Sequence, residues 1–254
     1  MTKIKGLLID LNGTLYFKGE AVDGAVEAVG KLRQDYAVRF LTNTDSKSTG
    51  QVNERLEKFG FSVQRDELHT RVVASVHLLA NQNSKTVFPL VSDSIEEAYE
   101  PFKADDRPTD YVLVGDFRDK VSYSLMNEAF QHIDAGADIL ALQEAPYSYT
   151  KEGKNLDTGS FVRLFEYASG KTSRVLCKPS EEFFLSVIER MDLTPEEVAI
   201  VGDDLNTDIS GACSIGAMSF LVKTGKYQDH EPDDNAADYV IESITQLPRM
   251  LRFI

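Results

Sequence analysis

Four short stretches of the chain combine residue types and positions suited to chemistry on an anion. Asp10-Leu11-Asn12-Gly13-Thr14 follows the apolar run Leu7-Leu8-Ile9. Open α/β sheets bind ligands at the carboxyl ends of their strands, so Asp10 stands where a reactive carboxylate is expected. Asp, Asn and Gly are also ordinary turn residues, and a plain strand-to-loop turn reads the same way. Thr42-Asn43-Thr44 follows Val38-Arg39-Phe40-Leu41, and its hydroxyl and amide can hold phosphate oxygens or cap the next helix. Gly202-Asp203-Asp204-Leu205-Asn206-Thr207-Asp208 follows Val198-Ala199-Ile200-Val201. Its three carboxylates repel one another unless a cation or hydrogen-bond donors offset them. A hard cation such as Mg²⁺ takes carboxylate and carbonyl oxygens, whereas the plainer reading is a solvated acidic loop that caps a helix. Lys178, in Cys177-Lys178-Pro179-Ser180, is either a surface charge or a cation that neutralises a phosphate and an aspartate together.

The elements that must position these residues follow from periodicity. Short apolar runs alternate with helical patterns, which predicts an α/β protein with a mostly parallel sheet. The strands are Leu7–Ile9, Val38–Leu41, Val112–Val114, Ile139–Leu142, Val198–Val201 and Ser219–Val222. Ala25, Ala28, Val29 and Leu32 mark a helix by their i, i+3, i+4, i+7 spacing. A second helix, capped by Ser46, runs to Phe59 and stops at Gly60. Leu125, Met126, Ala129, Phe130 and Ile133 form a third apolar stripe. A fourth helix, capped by Ser180, carries Phe183, Phe184, Val187, Ile188 and Met191. Thr194-Pro195-Glu196-Glu197 reads as a capped helical turn, with acids at the positive end of its dipole. Asn81–Ser84 and Ser169–Ser173 are polar enough to be linkers, in which case the middle of about 90 residues is a domain inserted into one built from both ends of the chain.

Composition narrows the functions. Twenty-seven Lys and Arg against 41 Asp and Glu give a net charge of −14 over 254 residues, which argues against nucleic acid as a partner. A small phosphorylated ligand needs only local cations or a metal. No apolar run reaches the roughly 18 residues of a membrane span. The lysines and apolar residues of Met1–Ile9 end in an acid, so they read as a first strand rather than a signal segment. Cys177 and Cys213 provide neither a disulfide framework nor a cysteine-rich metal site, and a cytoplasmic location is the default expectation.

As an ordered set, the four stretches resemble the haloacid dehalogenase superfamily: Asp10-Leu11-Asn12-Gly13-Thr14, Thr42-Asn43, Lys178, and Gly202-Asp203-Asp204 with Asp208. Thr158-Gly159-Ser160-Phe161-Val162, Glu166-Tyr167-Ala168, Lys178-Pro179 and Val222-Lys223-Thr224-Gly225-Lys226-Tyr227 are similar to its NagD-like branch, which has an inserted α/β cap. Within that branch the chain resembles the group of haloacid dehalogenase-like hydrolase domain-containing protein 2 and phospholysine phosphohistidine inorganic pyrophosphate phosphatase. The similarity spans nearly the whole chain.

The resemblance implies a Rossmann-like core of residues 1–80 and 177–254 and a cap of residues 81–176. It implies a phosphatase in which Asp10 attacks phosphorus and water hydrolyses the resulting aspartyl-phosphate. Mg²⁺ would be held by Asp10, the backbone carbonyl of Asn12 and Asp203, with Asp208 orienting metal waters or Lys178. Thr42 and the backbone of Asn43 would hold phosphate oxygens, and Lys178 would hold Asp10 ionised beside an anionic substrate. The departure is Asn12, where most family phosphatases carry an aspartate that protonates the leaving group and later activates water. An amide cannot exchange that proton, and losing such help costs about 10²–10⁴-fold in rate. Activated phosphates, with better leaving groups, are therefore expected over alkyl phosphates. The alternative is a low-activity or non-catalytic phosphoryl-ligand binding or regulatory protein on the same fold. A response-regulator receiver shares Asp, Thr and Lys at strand ends, but it is about half as long and lacks the insertion.

In the branch, the cap closes over the site and selects substrate. Tyr147, Tyr149, Lys151, Lys154 and Asp157-Thr158-Gly159-Ser160 are expected in a loop facing the core, or else in a solvated loop. Asp116 is a further strand-end candidate without an assigned chemistry, and His69, His77, His132 and His230 show no ligand spacing. His77 and His132 are expected on helices, as surface or partly buried residues. A homodimer is expected from the branch.

Overall fold

The computed structural model describes residues 3–44, 47–81, 85–104, 107–150, 153–227 and 237–254. Ser46, Gln82, Asn83, Ser84, Lys151, His230 and the side chain of Tyr149 lie outside what is described. The chain forms two compact units. One comprises Met1–Thr42, Gly50–His69 and Lys178–Ile254, and the other comprises Asn43–Thr49 and Thr70–Cys177.

Along the chain the strands are β1 (Gly6–Asp10), the hairpin β2 (Tyr16–Phe17) and β3 (Glu20–Ala21), β4 (Ala37–Thr42) and β5 (Leu68–Thr70). Next come β6 (Val87–Leu90), β7 (Tyr111–Val114), β8 (Asp138–Ala141), the hairpin β9 (Tyr147–Thr150) and β10 (Gly153–Leu156), and β11 (Arg174–Val175). The last three are β12 (Val198–Gly202), β13 (Met218–Val222) and β14 (Tyr239–Ile241).

The first unit is built on a six-stranded sheet in the order β14-β13-β12-β1-β4-β5. β1 is parallel to β12 and to β4, with Ile9 opposite Val201 and Asp10 opposite Leu41. Every residue of β1 and β12 is buried, as expected of central parallel strands covered on both faces. The helix Ala25–Leu32 buries Ala25, Ala28, Val29 and Leu32, the four residues its periodicity predicts. The helix Glu181–Glu189 buries Phe183, Phe184, Val187 and Ile188, while Met191 falls beyond its end. Ser180 occupies the N-cap position, but its side chain makes no capping bond there. The turn at Pro195–Glu197 has the reciprocal capping box of Thr194 and Glu197.

The second unit carries its own parallel sheet, β11-β8-β7-β6. Alternation along the strands sends Tyr111, Leu113, Leu140 and Leu142 into one apolar cluster and Val112, Val114, Ile139 and Ala141 into another. Among the described residues no helix is long and apolar enough to cross a membrane. The α/β class with a Rossmann-like parallel sheet is as expected.

Several details differ from the sequence reading. The units divide at Thr70 and Lys178, not at residues 81 and 177, because the helix Arg71–Asn81 packs Val72, Leu78 and Leu79 into the second unit's cluster. Ser169–Ser173 lies within the second unit, since the strand after it, β11, pairs with β8. The segment expected as a loop is a hairpin, with Lys154 over the Tyr147 ring, followed by a helix that Asp157 caps at the Thr158 amide. Asp116 pairs with Arg118 at 2.7 Å. His132 is fully buried, its Nδ1 within 3.3 Å of the Thr109 amide and its ring stacked on Phe88.

Candidate active site

The geometry of the candidate site begins with three neighbouring strand ends. Because β12, β1 and β4 are adjacent and parallel, their carboxyl ends deliver Asp203, Asp10 and Thr42 to one edge of the sheet. All three are buried. Asp208 arrives by a different route. A single π-helical turn, Leu205–Ile209, starts at Asp204 and carries Asp208 back towards the strand ends. Such turns often mark functional sites. One carboxylate oxygen from each of Asp10, Asp203 and Asp208 lies within 4.8 Å of the others.

Lys178 enters this cluster as its cation. Its Nζ donates to Asp10 Oδ1 at 2.5 Å and to Asp208 Oδ1 at 2.7 Å, with 3 % of its side chain exposed. Burial opposes the charge on Lys178, but the two carboxylates outweigh it and hold the ammonium above its usual range. Burial also dominates for the acids. It raises Asp10 and Asp208 against the pull of Lys178, and it pushes Asp203 up to about 6. One ammonium cannot neutralise three buried carboxylates: with all three ionised, two negative charges are left over. That excess, on oxygen donors clustered within 4.8 Å, fits a hard divalent cation such as Mg²⁺.

The remaining predicted residues are placed as follows. Asn12 is exposed just beyond Asp10, bridged through its backbone to Tyr16. Asn43 follows Thr42 and is half-buried, and it groups with the second unit. Asp204 is turned away from the cluster: its Oδ2 accepts from Lys226 Nζ at 2.6 Å and its Oδ1 from the Asn206 amide at 2.9 Å.

Sequence reasoning missed roles for Thr14, Thr224 and Lys226. The Thr14 hydroxyl lies 3.4 Å from Asp10 Oδ2, a long contact. The Lys226 amide donates to Asp203 Oδ2 at 2.7 Å, and the Thr224 hydroxyl to the Gly13 carbonyl at 2.5 Å. A signal was available, because Thr224 to Lys226 follow the apolar run of β13 at the same end of the sheet. Gly13 has φ +100°, and a Cβ there would fall 2.0 Å from Asp203 Oδ2, so no larger residue fits.

Comparison with known proteins gives this arrangement its family. A model described as haloacid dehalogenase-like hydrolase matches residues 7–103, and a HAD-hydrolase-like model matches residues 175–247. Haloacid dehalogenase-like hydrolase domain-containing protein 2 of Mus musculus is 37 % identical over 226 residues, covering 89 % of this chain and 86 % of its own. The chain belongs to the haloacid dehalogenase-like hydrolases. A second relative in this family, the phospholysine phosphohistidine inorganic pyrophosphate phosphatase of Xenopus laevis, is 33 % identical over 248 residues, covering 93 % of this chain and 91 % of its own. Among solved structures, a p-nitrophenyl phosphatase from Archaeoglobus fulgidus superposes with a TM-score of 0.86 at 25 % identity, covering 98 % of this chain and 99 % of that one. The resemblance read from the motifs, to the haloacid dehalogenase superfamily and to the group of these two relatives, is thus borne out.

Proposed function

We propose that this hydrolase is a Mg²⁺-dependent phosphatase that acts through an aspartyl-phosphate on Asp10, with a preference for activated phosphates. The carrying observation is the buried cluster in which Lys178 bridges Asp10 and Asp208 beside Asp203. Two related chains that are themselves named phosphatases support the same reading. They favour it over a non-catalytic phosphoryl-binding protein. The first unit is assigned the catalytic role and the second the role of a cap.

Asp10 must be ionised to attack, and Lys178 at 2.5 Å favours that form where burial opposes it. A carboxylate oxygen of Asp10 forms a bond to phosphorus as the bond to the leaving group breaks, and the leaving group departs with the electron pair. Water then attacks the same phosphorus, releasing inorganic phosphate and restoring the carboxylate. Thr42 and the Asn43 backbone would hold the phosphate oxygens while the geometry inverts. Asp208 keeps Lys178 directed at Asp10. Asp10, the Asn12 carbonyl and Asp203 would hold Mg²⁺, with Asp208 at its edge. When bound, the ion would supply the positive charge that the equatorial oxygens require. Asn12 offers no proton to the leaving group, so substrates whose leaving groups are stable as anions are favoured.

The test is phosphate release from p-nitrophenyl phosphate, pyrophosphate and acetyl phosphate, with Mg²⁺ and with EDTA. Release from at least one of them that EDTA abolishes is expected. No release from any would overturn the proposal.

Ion binding should also depend on pH. Asp203 and Asp208 titrate higher when folded than when unfolded. Their contribution to the stability of the metal-free protein is therefore full below about pH 4 and is lost as pH rises through about 6 for Asp203 and about 7 for Asp208. Binding Mg²⁺ requires these groups deprotonated. The rise in melting temperature caused by Mg²⁺ is thus expected to be larger at pH 8 than at pH 5.5. An equal rise at both would mean that these carboxylates are not the ligands.

A further inference from the structure

We propose that the turn Thr224-Gly225-Lys226 is a positioning element that fixes Asp203 and the Gly13 backbone together, presenting Oδ1 of Asp203 to the cation. The inference rests on the metal-site reading above and assigns residues that none of the four motifs contains. Three contacts converge on it. The Lys226 amide occupies Asp203 Oδ2 at 2.7 Å, which leaves Oδ1 with no hydrogen bond among the described residues. The Thr224 hydroxyl donates to the Gly13 carbonyl at 2.5 Å, tying the turn that follows Asp10 to the same loop. Gly225, at φ +83°, fits between the two: a Cβ there would lie 2.2 Å from Asp203 Oδ2 and 2.5 Å from Gly13 Cα.

The same turn separates the roles of two adjacent aspartates. Lys226 Nζ and the Asn206 amide occupy both oxygens of Asp204, so its charge is answered away from the cluster. Among the described residues, Asp203 receives a single hydrogen bond, from a neutral backbone donor, on one oxygen, which leaves the other for a cation. A loop from β13 therefore determines which carboxylate of the Asp203-Asp204 pair can serve as a ligand. Groups that orient ligands in this way typically change metal affinity about 10–100-fold when removed.

The experiment measures Mg²⁺ affinity by calorimetry on the full chain and on Thr224→Val, Thr224→Ser and Gly225→Ala, with metal-free melting temperature and circular dichroism as folding checks. Thr224→Val, isosteric but without the hydroxyl, is expected to bind about 10-fold more weakly, and Gly225→Ala up to about 100-fold more weakly. Thr224→Ser, which keeps the donor, is expected to bind like the parent. If the parent binds Mg²⁺ and the folded Thr224→Val binds equally tightly, the positioning role is wrong while the metal site stands. The same holds if Thr224→Ser is as weak as Thr224→Val. A parent chain that shows no Mg²⁺ binding overturns the metal-site reading, and the positioning role with it.

Discussion

Asp10→Asn is expected to lower Mg²⁺-dependent phosphate release by at least about 10⁴-fold while leaving the protein folded. The substitution keeps the size of the side chain and removes the charged oxygen that would attack phosphorus. It also removes a proposed cation ligand, so catalysis and ion affinity should fall together. Stability should move the other way. Asp10 is buried, and with its three acids ionised the cluster carries two more negative than positive charges without an ion. Neutralising one acid relieves that repulsion and leaves Lys178 paired with Asp208 at 2.7 Å. The metal-free variant should therefore melt no lower than its parent, most visibly at pH 8. Release from p-nitrophenyl phosphate and a thermal melt check both halves. Activity within 10-fold of the parent would mean that another group performs the attack.

Asn12→Asp is expected to raise activity, and to do so unevenly. The residue is exposed just beyond Asp10, so the exchange meets no packing barrier. It would install a group able to give a proton to the leaving oxygen and later take one from water. The gain should approach the 10²–10⁴-fold typical of general acid–base catalysis on alkyl phosphates, whose alkoxides leave poorly. It should be smaller on p-nitrophenyl and acetyl phosphate, whose leaving groups are stable as anions. Rates on a series of leaving groups give the comparison. Equal gains across the series would show that Asn12 does not limit leaving-group protonation.

The central strands and the outer helices were legible because their apolar residues are either continuous or spaced at 3.6. Asp10, Asp203, Asp208 and Lys178 were legible as a set through their order along the chain. Their geometry was not. Nothing local to Cys177-Lys178-Pro179 says that Lys178 will reach two aspartates, because that contact spans 168 residues to Asp10 and depends on which strands are neighbours. The Thr224–Lys226 turn escaped for a related reason. The stretch was visible in the sequence, but its contribution to Asp203 is a backbone amide, and residue type does not say which amide will meet which carboxylate. The boundary at Thr70 was hidden because the helix Arg71–Asn81 is apolar on one face in either unit, and only its packing partners show where it belongs. His132 read as a surface or partly buried residue on an amphipathic helix, and it is fully buried. Its burial follows from Phe88 and Thr109, which come from elsewhere in the second unit.

The most direct measurement is identification of the phosphorylated residue during turnover. Because Asn12 cannot deprotonate the water of the second step, the aspartyl-phosphate should outlast its formation and accumulate. Acid quenching within the first turnover on p-nitrophenyl phosphate and Mg²⁺, followed by peptide mass spectrometry, should find the phosphoryl group on Asp10 and on no other residue. It should be absent from Asp10→Asn and from samples with EDTA. Phosphorylation at a different residue, or turnover with Asp10 unmodified throughout, would contradict the assignment of Asp10 as nucleophile.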